Sequence, residues 1–111
     1  MTTPKFNGSA VCEALYNISL NGCCDSTGEC DGPGWYARID ATQDELVKAV
    51  GEEYREQIVE EIEGRPEVFA ILREDNYGLV SYDGYDTEKQ RDKSWRGVER
   101  RVESFYDQSG E

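Results

Sequence analysis

The chain has 111 residues, 24 acids against 12 bases, no histidine and a formal net charge of -12. That length corresponds to one domain, 1–111, able to bury a core without help from metal or disulfides. The charge opposes direct contact with nucleic acid or anionic lipid and suits a partner with a basic surface. The missing histidine removes the usual acid–base catalyst at neutral pH.

Residues 1–8 read as a flexible lead-in. Ser9 is placed to cap a helix over 10–20, in which Val11, Ala14, Leu15 and Ile18 share one face. Asn21-Gly22 is a helix stop. Residues 22–34, rich in Cys, Gly and Asp, read as a loop. Trp35 to Ile39 then alternates: Trp35, Ala37 and Ile39 on one face, Tyr36 and Arg38 on the other, giving a strand over about 35–40.

Thr42-Gln43-Asp44-Glu45 is a capping box, which predicts a helix from there to about 63. Leu46, Val47, Val50, Tyr54, Ile58 and Ile62 cluster on its inner side. Gly51 is its weak point, where it can bend or split. Gly64 and Pro66 end it. The apolar run Val68 to Leu72 and the segment Leu79 to Tyr82, separated by Asp75, Asn76 and Gly78, predict a hairpin over 67–74 and 78–82. Residues 83–86 read as a second turn. Asp86 or Thr87 then caps a last helix to about 106, with Trp95, Val98, Val102, Phe105 and Tyr106 as its buried stripe and Arg91 at the edge. Residues 107–111 read as a flexible tail.

The expectation is an α+β fold in the order α-β-α-β-β-α, a three-stranded sheet packed by about three helices. The first strand, the long helix and the second strand read as a βαβ-type unit. No segment approaches a membrane span, and the first 22 residues hold no long apolar run, so a cytoplasmic protein is expected.

Residues 41–64 hold eight acids and two bases, half of the net charge. A row of carboxylates on a helix can meet a basic groove much as a phosphate backbone does. It is more often a solvated face, and acidity also serves solubility in a high-salt cytoplasm; composition does not separate these. The candidate partner-binding residues are Glu45, Glu52, Glu56 and Glu60, with Tyr77 and Tyr85 on turns as aromatic anchors. On the last helix Lys89, Lys93, Arg96 and Arg100 form a basic stripe, expected to be solvated and laced with pairs such as Asp92 to Arg96. It also offers a grip for phosphate, which the adjoining acids and the overall charge disfavour, or a surface for a homodimer.

Cys12, Cys23, Cys24 and Cys30 are the candidate metal ligands, for one zinc ion, with free thiols the commoner reading and a Cys24–Cys30 disulfide a third. No CxxC pair is present. No nucleophile elbow or phosphate-cradling glycine loop appears either. The residues therefore point to a small acidic, non-catalytic protein-binding module. An accessory or inhibitor protein of a virus or mobile element, engaging a basic protein, is the setting this suggests. The alternatives are a zinc- or thiol-organised structural protein and a small enzyme working with carboxylates.

Overall fold

Two strands buried on both faces form the middle of the molecule. The computed structural model describes residues 8–22, 25–29 and 34–109, excluding the side chains of 29 and 106–109. The elements are α1 (Ala10–Leu20), β1 (Asp25–Glu29), β2 (Gly34–Thr42), α2 (Gln43–Val50), α3 (Arg55–Glu61), β3 (Glu67–Glu74), β4 (Val80–Tyr85) and α4 (Glu88–Ser109). A 3-10 turn, Glu52–Tyr54, joins α2 to α3. The strands make one antiparallel sheet in chain order, β1-β2-β3-β4.

The α+β class is as expected, but the described residues hold four strands rather than three and four α-helices rather than three. The extra strand lies within 22–34, the segment read as a loop. Asp25 to Glu29 pair with Arg38 to Gly34, although the sequence DSTGE has little intrinsic strand preference. The ladder with β2 outweighs local propensity there. Likewise β4 runs on through 83–85, read as a turn, because those residues pair with Ile71, Ala70 and Phe69.

The extra helix comes from Gly51. This residue sits at φ 114°, a backbone that L side chains rarely adopt, and the chain breaks there. The break decides the topology. A continuous helix of about 22 residues would travel roughly 33 Å and deliver the chain to the far end of the sheet, as a parallel crossover needs. Instead α2 runs out for eight residues and α3 returns. The chain re-enters the sheet where it left, with Thr42 paired to Glu67 and the Gln43 N–H donating to Pro66 O at 3.0 Å. The βαβ reading is therefore corrected: β2 and β3 are antiparallel neighbours.

Strand alternation builds the two cores. One sheet face carries Ala37, Ile39 and Ala41 of β2 and Val68, Ala70 and Leu72 of β3, beneath α1, α2 and α3. Their cross-strand pairs match small with large: Ala37 with Leu72, Ile39 with Ala70, Ala41 with Val68. The sheet surface stays even, so helices can lie close on it. The opposite face carries Tyr36 and Ile71, covered by Trp95, Val98 and Val102 of α4. Phe105 is 39% exposed and falls outside the buried stripe expected for it; the Tyr106 side chain is outside the described residues. Tyr54, expected on the inner side, is also exposed, because the break re-aims it.

The helix ends follow local chemistry. Ser9 Oγ accepts from Cys12 N at 2.9 Å, the Thr42–Glu45 capping box is closed in both directions, and Thr87 Oγ1 accepts from Gln90 N at 3.1 Å. The end of α3 is less ordinary. Gly64 N donates to Val59 O at 2.9 Å and Glu63 N to Glu60 O at 3.2 Å, the two bonds of a Schellman motif. The left-handed position belongs to Glu63, at φ 57°, where glycine is usual. Glu63→Gly should therefore raise stability by about 0.5–1 kcal/mol in urea unfolding, the left-handed penalty less the entropy of glycine. The exposed Glu63–Arg65 pair contributes little against this. An unchanged or lower midpoint would show that Glu63 is not strained.

Candidate functional site

The eight acids of 41–64 do not form one row, because Gly51 divides the rod that was to carry it. Five are engaged inside the molecule. Glu45 closes the capping box, its Oε1 accepting from Thr42 N at 3.0 Å. Arg55 donates to both Glu52 oxygens, at 2.6 and 2.9 Å, and to Asp44 Oδ1 at 3.2 Å. This bidentate grip holds Glu52 below the usual carboxylate range, while hydrogen bonds to Glu52 and Asp44 push the Arg55 pKa up. Glu63 pairs with Arg65 at 3.4 Å. Glu61 accepts from Ser9 Oγ and, at 2.6 Å, from Tyr82 OH.

Glu53, Glu56 and Glu60 remain. All three are exposed, and among the described residues no cation forms an ion pair with them. At spacings of three and four they share one side of the Glu52–Glu61 helical segment. They rim an open depression whose floor includes half-buried Val59, with Glu52 and Arg55 at one end. Of the residues expected to bind a partner, Glu56 and Glu60 lie here and Glu52 borders it in paired form. Glu45 serves its own helix. Glu53 belongs to the group although only its neighbours were selected; its three-residue spacing to Glu56 was visible, but not that Arg55 would claim Glu52.

The aromatic candidates lie elsewhere. Tyr77 is 93% exposed on the β3–β4 turn, which Asp75 Oδ1 braces by accepting from Tyr77 N and Leu79 N, both at 2.9 Å. That turn lies at the end of β3 away from Pro66, where α2 starts. Tyr85 is half-buried against the α4 core rather than displayed.

Where α1, α3 and β4 meet, Ser9, Glu61, Tyr82 and Cys12 gather. Ser9 caps α1 while donating to Glu61, so the carboxylate ties the start of one helix to the end of another and to the sheet. Cys12 is buried, its Sγ 3.6 Å from Val80 O. Burial first, then Glu61 and Glu13, pushes its thiol up to about 11; burial and the Glu61 hydrogen bond raise Tyr82 well above its ordinary value. Cys12 is therefore a core thiol. Cys23, Cys24 and Cys30 lie outside the described residues, and no group of three or more metal-binding side chains occurs among the described ones.

On the other layer Arg91, only 3% exposed, pairs with Asp40 and, at 3.0 Å, with Asp92; Arg38 pairs with Asp25 and, at 3.4 Å, with Asp92. Arg38 also stacks 5.7 Å above the Trp95 ring, and Arg91 5.8 Å above Phe69. The expected Asp92–Arg96 pair is absent, because Asp92 turns inward to the buried arginine.

Among the described residues no helix is long and apolar enough to cross a membrane. No protein-family model, curated protein or solved structure matches the chain.

The Cys12 environment sets a pH dependence. Its folded pKa lies above the ordinary thiol value of about 9, so the stability it contributes is intact below about pH 9 and is lost as pH rises through about 11. The loss amounts to about 3 kcal/mol, with Tyr82 adding to it above pH 10. Urea unfolding between pH 8 and 11 should show Cys12→Ala losing less stability than the wild type over that interval. Parallel curves would refute the assignment.

Proposed function

We propose that this protein is a small non-catalytic binding module that engages a basic protein through Glu53, Glu56 and Glu60. The observation that carries the reading is that these carboxylates form no ion pair among the described residues while five neighbours are paired or used within the fold. They sit on a short helix held at both ends, by the Arg55 fork and by the Schellman turn, so little freedom is lost on binding. Half-buried Val59 supplies an apolar floor for the stem of a lysine or arginine. A Lys- or Arg-rich segment of a nucleic-acid-binding protein has the matching chemistry, in keeping with an accessory or inhibitor role in a virus or mobile element. Tyr77, at the other end of β3, would serve a separate contact.

Anisotropy of a labelled Lys/Arg-rich peptide, titrated with the protein at about 50 and 300 mM salt, tests this. Binding should weaken with salt. Glu53→Lys/Glu56→Lys/Glu60→Lys should reduce affinity by about tenfold or more, from three surface pairs at about 0.5 kcal/mol each. The triple variant should keep the wild-type circular dichroism, since all three side chains are exposed. Wild-type affinity in the triple variant would overturn the reading.

A further inference from the structure

The outer face of α4 carries cations that the fold does not use. Lys89, Lys93, Arg96 and Arg100 are exposed, and none forms an ion pair among the described residues, in a chain with twice as many acids as bases. At 100° per residue they fall within one narrow stripe, diametrically opposite the buried Arg91, Trp95, Val98 and Val102. The stripe spans about 16 Å along the helix axis. Of the α4 acids whose side chains are described, Glu88, Asp92, Glu99 and Glu103 lie on one flank, with Glu103 bordering Arg96 and Arg100. Asp92 there is drawn inward by Arg91 and Arg38, and Glu99 adds negative charge near Arg38 and forms no ion pair with Arg96 or Arg100. The other flank holds no acid: Gln90, Gly97 and Ser104 recur every seven residues beside the cations, with exposed Arg101 next to them.

The net charge of -12 appeared to exclude contact with nucleic acid, but the charge is segregated. The acidic α2–α3 layer is on the opposite side of the sheet from α4. Helices on the two sides of one sheet stand about 20 Å apart. That is more than two Debye lengths at about 0.15 M salt, so the acidic layer is largely screened from the α4 face.

We propose that this face binds the phosphate backbone of nucleic acid, without sequence preference. The choice between a polyanion and an acidic protein, such as the α3 side of a second copy, follows from what each returns. Exposed ion pairs between two proteins return little after the loss of translational freedom. Cations laid along a nucleic acid instead release condensed counterions, one for each phosphate neutralised. The stripe displays no aromatic side chain for base stacking, and Trp95 is buried beneath it, so the contact is to the backbone alone. This goes beyond the protein-binding reading and uses a different layer of the molecule.

The test is anisotropy of a labelled 20-base-pair DNA duplex of arbitrary sequence, titrated with the full chain between about 50 and 200 mM salt. Four phosphate contacts give a log–log slope of about -3.6, so the affinity should fall roughly 150-fold over that range. Lys93→Gln/Arg96→Gln should bind more weakly at 50 mM and retain a slope of about -1.8, a fall of roughly 12-fold. Glu53→Gln/Glu56→Gln/Glu60→Gln should bind the duplex as well as the wild type or better, which separates this face from the acidic one. Absence of binding at 50 mM, indifference to the Lys93/Arg96 change, or equal competition by poly-glutamate at matched charge would each overturn the proposal.

Discussion

Eight residues of β2 pair with eight of β3, and both faces of that ladder are covered. Nearly every other feature depends on this. Because the two strands are antiparallel neighbours, the segment between them must leave and return at the same end of the sheet. Two short helices with a glycine elbow satisfy that requirement. Because side chains alternate, one face of the ladder needs a flat bed for three helices and the other a shallow seat for one. Pairing Ala37, Ala70 and Ala41 with larger partners makes the bed. Tyr36, Arg38, Phe69 and Ile71 make the seat, with Trp95 of α4 stacked against Arg38 and Arg91 of α4 over Phe69.

The same geometry sorts the charges. Arg38, Arg55, Arg65, Arg73 and Arg91 each pair with acids, and four of them meet two acids at once. A planar guanidinium can hold two carboxylates, so five arginines engage eight acids within the fold. Two exposed groups that form no ion pair among the described residues lie on opposite layers: Glu53, Glu56 and Glu60 on one, Lys89, Lys93, Arg96 and Arg100 on the other. An average over the whole chain conceals this, because -12 is a sum over two unlike surfaces and an interior network.

Much of the fold was legible from local chemistry. Ser9, Thr42 with Glu45, and Thr87 mark helix starts because their side chains reach backbone N–H groups within three residues. The α1 boundaries, the alternation of β2 and the start of the hairpin followed in the same way. Gly51 was visible as a weakness, but whether it would bend or break the helix was not. The strand at Asp25–Glu29 carried almost no local signal, since its ladder with β2 is what makes it a strand.

The candidate sites divide along the same line. The sequence by itself determined where acids and bases lie along each helix, and so the presence of an acidic segment and of a basic stripe on α4. It also determined the core-facing stripes, because a period of 3.6 or 2 is a property of the local backbone. Only the tertiary structure decided which charges are free. Arg55 lies eleven residues from Asp44, Arg91 fifty-one from Asp40, and Arg38 fifty-four from Asp92. Charge pairing acts through space, over a few ångströms, and the chain must fold before those distances exist.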